Sequence, residues 1–161
     1  MKTKKLALGG MLVVLALILS YVESLLPLSI GVPGVKMGLP NAAILFALYR
    51  LGGKEACAIS LVRVMLVSIL FGSLFSLAYS LAGAALSLGV MLLLRRWGKF
   101  SPAGVSVAGG VAHNVGQILV AMVLLETAEL GYYLPVLCIS GTAAGVCVGL
   151  LAALLIRRVP A

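Results

Sequence analysis

Arg63 is the residue of this chain whose position most needs a chemical explanation. It stands inside an apolar run, between Ser60-Leu61-Val62 and Val64-Met65-Leu66. Counting from Lys54 at 1.5 Å per helical residue places it about 13 Å from the charged start of the run, near the middle of a hydrocarbon layer roughly 30 Å thick. An arginine there costs at least ~2.5–3.5 kcal/mol, and residues so placed usually face a bundle interior and mark a substrate or ion path. The string His113-Asn114-Val115-Gly116-Gln117 lies about 16 Å along its own run from Pro102, at the depth of Arg63. His113 and Gln117 share one helical face, and Asn114 and Gln117 an overlapping one. Two readings are open. Arg63 can be the contact for an anionic ligand, with His113, Asn114 and Gln117 as polar readers, or the cluster can be an interhelical hydrogen-bond clasp worth ~0.6–2 kcal/mol per bond. All 4 acidic residues are glutamates. Glu55 falls at one end of a run, and Glu23, Glu126 and Glu129 near the opposite ends. Arg63 is therefore expected to lack a carboxylate at its own depth and to turn to carbonyls, water or a bound anion.

The residues that are missing restrict the chemistry further. The chain contains no aspartate, which removes aspartate-rich magnesium-diphosphate motifs, and its 1 histidine has no nearby nucleophile to activate. No GxxxxGK phosphate loop occurs, so the chain is not expected to hydrolyse ATP or to act as an enzyme. Cys57, Cys138 and Cys147 lie in apolar segments without CxxC spacing, so no disulfide framework, metal site or cofactor is expected. The formal charge of +8 punctuates apolar runs and does not form a basic face with interleaved aromatics, which argues against nucleic acid as a partner.

These residues must be positioned by helices. The 161 residues are 63% hydrophobic and 10% charged, against about 25% charged in soluble domains. Apolar runs cover 6–26, 38–51, 55–71, 73–94, 102–125 and 132–156. Together they predict one all-α integral membrane domain, a bundle of six transmembrane helices joined by short loops. The lysines before Leu6 resemble a secretory signal, but no small-residue cleavage site follows, so this run is read as a retained first span. The second run is short and on length alone could be re-entrant. Six crossings gather Lys2, Lys4, Lys5, Arg50, Lys54, Arg95, Arg96, Lys99, Arg157 and Arg158 on one side, which places both termini in the cytoplasm by the positive-inside rule. The second helix is then expected to reach back toward Gly38.

Small residues recur at packing spacing: Gly141, Gly145 and Gly149 in the sixth run, Gly109, Gly110 and Gly116 in the fifth, and Gly9, Gly10, Ala16 and Ser20 in the first. Such stripes let helices approach closely in lipid. They predict packing within the bundle for the last two runs, and for the first run either packing or a surface for another membrane protein. Phe71, Phe75 and Tyr79 step at four-residue spacing from the end of the third run into the start of the fourth, where they can stack on a planar ligand or form core and interfacial packing.

The segment Leu26-Pro27 through Pro33-Gly34-Val35-Lys36-Met37-Gly38-Leu39-Pro40-Asn41 resembles the loop after the first helix in substrate-binding S components of energy-coupling factor (ECF) vitamin transporters. More closely, the chain resembles the Gx transporter family, which carries the label heptaprenyl diphosphate synthase component I. The resemblance covers nearly the whole chain, including the intramembrane arginine and the His-Asn pair. It implies a multi-pass subunit of the bacterial cytoplasmic membrane that captures a small, vitamin-like nutrient from outside, with Lys36 and Asn41 in a lid loop. It also implies docking through Gly9, Ala16 and Ser20 onto a transmembrane coupling subunit driven by two cytoplasmic ATPases. The polar lining suggests a ligand with a carboxylate or phosphate and a partly apolar body. The synthase label leaves a second class open, a non-catalytic membrane subunit for an isoprenoid or quinone pathway enzyme. A proton-coupled carrier is a third, disfavoured by the lack of a mid-membrane carboxylate.

Overall fold

The computed structural model describes residues 2–25 and 38–158. They form six α-helices: α1 (Lys2–Leu25), α2 (Asn41–Arg50), α3 (Gly53–Phe71), α4 (Leu74–Trp97), α5 (Pro102–Leu124) and α6 (Leu134–Arg158), with a 3₁₀ segment, Ala128–Tyr133, leading into α6. Local chemistry sets several of these boundaries. Ser73 and Ser101 cap α4 and α5 by accepting from the amides of Ser76 and Gly104, and Pro102 opens α5 where a missing N–H costs nothing. Gly98 closes α4 in the left-handed conformation, with φ 67°.

Four stretches are long and apolar enough to cross a membrane: Thr3–Leu25, Leu74–Trp97, Pro102–Leu124 and Ala128–Arg158. Large apolar side chains cover their outer faces, among them Leu6, Leu74, Val123 and Ile139, each exposed by more than two thirds. This is the surface of a multi-pass membrane protein. α3 matches the length of a span but carries Lys54, Glu55 and Arg63.

α2 differs from the expected second span. It runs for 10 residues, about 15 Å at the helical rise, and does not reach back to Gly38. Gly38 has φ +71°, and a turn in which the amides of Asn41, Ala42 and Ala43 donate to the carbonyls of Gly38, Leu39 and Pro40 comes before the helix. α2 is instead the core of the bundle. Ile44, Leu45 and Leu48 are fully buried and pack with Leu12 and Ala16 of α1, Ile59 of α3, Leu88 and Met91 of α4, Val105 of α5 and Ala152 of α6.

Around α2 the helices follow in order, α1 packing on α3, α3 on α4, α4 on α5 and α5 on α6, while α2 touches α1, α3, α5 and α6. One end of the bundle is basic and knitted by arginine. Arg50 donates to the carbonyl of Ile156 at the end of α6. Arg95 donates to the carbonyl of Leu48 near the end of α2 and lies 5.3 Å from the centre of the Tyr49 ring. These bonds satisfy carbonyls that helix C-termini leave open, and the cations sit at the negative ends of the helix dipoles.

The α5–α6 seam is packed backbone to backbone, as the glycine spacing predicts. A Cβ on Gly145 would lie 2.6 Å from the Val107 Cα, and one on Gly149 2.7 Å from the Ala103 Cα. The α4–α5 seam is as tight: a Cβ on Gly116 would meet the Ala82 carbonyl at 2.8 Å.

Candidate functional site

α2 fills the axis of the bundle only on its basic half. In the other half, beyond the N-terminal turn of α2, the helices enclose a cavity of about 130 Å³. Its wall is unusually polar for a bundle with a lipid-facing exterior. Arg63, His113, Asn114, Gln117 and Asn41 all line it, so five of the residues singled out in the sequence meet at one place.

Arg63 projects from the middle of α3, and its Nε is buried with no hydrogen-bond partner among the described residues. A guanidinium offers five N–H donors in a fixed planar fork that suits a carboxylate or phosphate. Contrary to the expectation from depth counting, a carboxylate belongs to the same cavity. Glu23 lines it beside Arg63, acts on Arg63 electrostatically and accepts a hydrogen bond from the Gly38 amide. Depth counting treats each residue as a point on its helix axis. Side chains of helices lean back toward the N-terminus, which brings Glu23 down from the end of α1, and the long stem of Arg63 spans the rest.

His113 and Gln117 are held against α4 by Gly83, where a Cβ would lie 2.8 Å from the Gln117 Cγ and 3.0 Å from the His113 Cε1. Asn114, 5% exposed, divides its two ends between roles. Its Nδ2 donates to the Leu137 carbonyl of α6 at 2.7 Å, the interhelical clasp that the sequence leaves as one alternative. Gly141 lets that amide in, since a Cβ there would stand 2.7 Å from Nδ2.

Other sequence-derived assignments fall elsewhere. Tyr79 does not line the cavity. α4 presents Ser76 and Ser80 to it instead, and Tyr79 is turned to a neighbouring face. Ala16 and Ser20 are not an outward docking face: Ala16 is 0% exposed, and Ser20 donates to the Ala16 carbonyl and lines the cavity. Gly9 alone of that trio borders open space, with nothing within 4 Å of an added Cβ. Lys36 lies outside the described residues. The residues that sequence reasoning missed are Glu23, Ser76, Ser80 and Gly83. A signal for the last three was present, because they recur at the spacing of one helical face.

The cavity wall pairs one guanidinium and one carboxylate with an imidazole, serine hydroxyls and amides, and no group of three or more metal-ligating side chains occurs among the described residues. The first amides of α2 are consumed by its entry turn, so that helix end contributes its dipole and no free donors.

No curated protein and no solved structure matches the chain. A family model does: residues 12–155, nearly the whole chain, match heptaprenyl diphosphate synthase component I, and the chain belongs to that family.

Proposed function

We propose that this protein is the substrate-binding membrane subunit of an ECF-type importer, taking a small solute with an anionic group into the cavity at Arg63. The observation that carries the reading is the cavity itself. A membrane scaffold needs its polar groups only to lock helices, and such groups are satisfied by closing on one another. Here Arg63, whose buried Nε has no hydrogen-bond partner among the described residues, lines a cavity with Gln117 in a chain whose outer surface is apolar. Arg63 is the anion contact, and His113, Gln117 and the Oδ1 of Asn114 read the rest of the solute.

The positive-inside rule orients the bundle. With the basic end cytoplasmic, both termini are inside, α2 and α3 complete six crossings, and the cavity lies toward the outer face. With no aspartate and no phosphate loop in the chain, import requires energy from partners, a transmembrane coupling subunit and ATPases. The label of the family favours a second reading, an accessory subunit that holds a prenyl synthase at the membrane.

Comparative mass spectrometry of gently extracted wild type and Arg63→Gln separates the two. The importer reading expects a small polar solute enriched with wild type and lost from the variant. Equal small-molecule content in both, with a prenyl synthase subunit retained by both, overturns it.

A further inference from the structure

The charges of the cavity say more about its ligand than the single cation does. Among the described residues its fixed charges are one of each sign, Arg63 and Glu23, and they interact. The remaining polar lining is the imidazole of His113, the amides of Asn41, Asn114 and Gln117, and serine hydroxyls. Glu23 is held in place, since its carboxylate accepts from the Gly38 amide at the turn that begins α2. A ligand that is only an anion would satisfy Arg63 by displacing Glu23, leaving two negative groups beside one positive group where water screens them only in part. Buried charges are tolerated only when paired. A ligand with both signs inserts into the pair and leaves every charge matched.

Size restricts the ligand as well. An engineered protein cavity of roughly 150 Å³ holds benzene, with its six heavy atoms. A space of about 130 Å³ therefore suits a body of about five or six heavy atoms, too small for an isoprenoid chain or a flavin.

Resting on the importer reading of the same site, we propose that the ligand is a compact zwitterion of small amino-acid size, its carboxylate received by Arg63 and its ammonium by Glu23. Serine hydroxyls and the amides of Asn41 and Gln117 complete the solvation of the two heads. The cavity selects against isosteres that carry only one of the charges.

Isothermal titration calorimetry on the full chain in lipid nanodiscs tests this with two charge spacings. L-alanine is compared with isobutyrate and L-alaninamide, and 3-aminopropanoate with butyrate and 3-aminopropanamide. At one spacing at least, the zwitterion should bind about tenfold or more tightly than both partners, the scale expected of one unmatched charge in a partly screened site. Glu23→Gln should erase that preference and favour the anion, while Glu23→Asp, the conservative variant, should keep it. An anion that binds wild type as tightly as its zwitterion overturns the proposal, and so does binding by none of the six probes. Neither result touches the importer reading, which stands or falls on whether the Arg63→Gln protein loses its co-purifying solute.

Discussion

Adding one methyl group to Gly145 should separate the two helices that carry much of the polar site. A Cβ on Gly145 would sit 2.6 Å from the Val107 Cα and 3.1 Å from the Ser106 carbonyl oxygen and the Val107 nitrogen. Carbon atoms in good contact stand about 3.5–4.0 Å apart, so the α5–α6 seam must open by about 1 Å. All three obstacles are backbone, and no side-chain rotation relieves them. Overpacking of this kind costs about 1–3 kcal/mol, which for a chain of this size lowers the melting temperature by about 2–12 °C. Gly141 and Gly149 share the seam, so the opening also draws the Leu137 carbonyl from the Asn114 amide that it accepts from at 2.7 Å. Gly9→Ala is the matched control, because its Cβ meets nothing within 4 Å and alanine is the better helix former by about 1 kcal/mol. Both variants are compared in one detergent by thermal unfolding followed by size-exclusion chromatography. Gly145→Ala should melt well below wild type and Gly9→Ala level with it or above. If Gly145→Ala melts with wild type, or the two substitutions destabilise equally, the reasoning from backbone contact is refuted.

Three further outcomes are expected. Arg63→Gln strands the Glu23 carboxylate in the cavity wall and should cost about 1–3 kcal/mol without unfolding the protein, and adding Glu23→Gln should recover much of that loss. Additive losses in thermal denaturation would show that the two charges are not coupled. Arg95→Gln removes a charged donor from the Leu48 carbonyl and the cation over Tyr49, and should destabilise by about 1.5–3 kcal/mol; Lys99→Gln, whose charge is exposed, should change the melting temperature little. With the native cysteines replaced by serine, Thr127→Cys should react with an impermeant thiol reagent added outside intact cells and Lys54→Cys only after permeabilisation. The reverse pattern would invert the proposed orientation.

The polar cluster was legible in the sequence because only two rules place it. Helical period puts His113 and Gln117 on one face, and rise per residue puts Arg63 at their level. What stayed hidden depends on packing. Ala16 and Ser20 have the spacing of a helix-packing stripe, and a stripe reads alike whether it meets its own bundle or another protein; here it meets α2 and the cavity. Tyr79 stands at aromatic spacing with Phe71 and Phe75, which drew attention from Ser76, Ser80 and Gly83 on the face that points inward. Glu23 is peripheral along the chain, two residues from the described end of α1, and only side-chain reach makes it a neighbour of Arg63. Positive charge placement argues for a second crossing but says nothing of where that helix begins, and with Gly38 left-handed it begins only at Asn41.

That short helix explains why a cavity exists at all. A central helix long enough to span a hydrocarbon core of roughly 30 Å would fill the axis, and the bundle would close on it. α2 rises only about half that distance. Its fully buried Pro40, Ile44, Leu45 and Leu48 seal the basic half, and the polar residues of α3, α4 and α5 are left facing one another across a gap. The same geometry sets a condition on function. Between the cavity and the basic end stands an apolar plug that includes Leu12, Leu88, Met91 and Val105. A solute bound at Arg63 cannot leak through this packing, so passage requires α2 to leave the axis or the whole bundle to move relative to the membrane. Either motion breaks interactions such as the bonds from Arg50 to Ile156 and Arg95 to Leu48, or drags charged ends through lipid. Neither follows from solute binding alone, so the proposed importer reading carries with it the proposal of a driven partner.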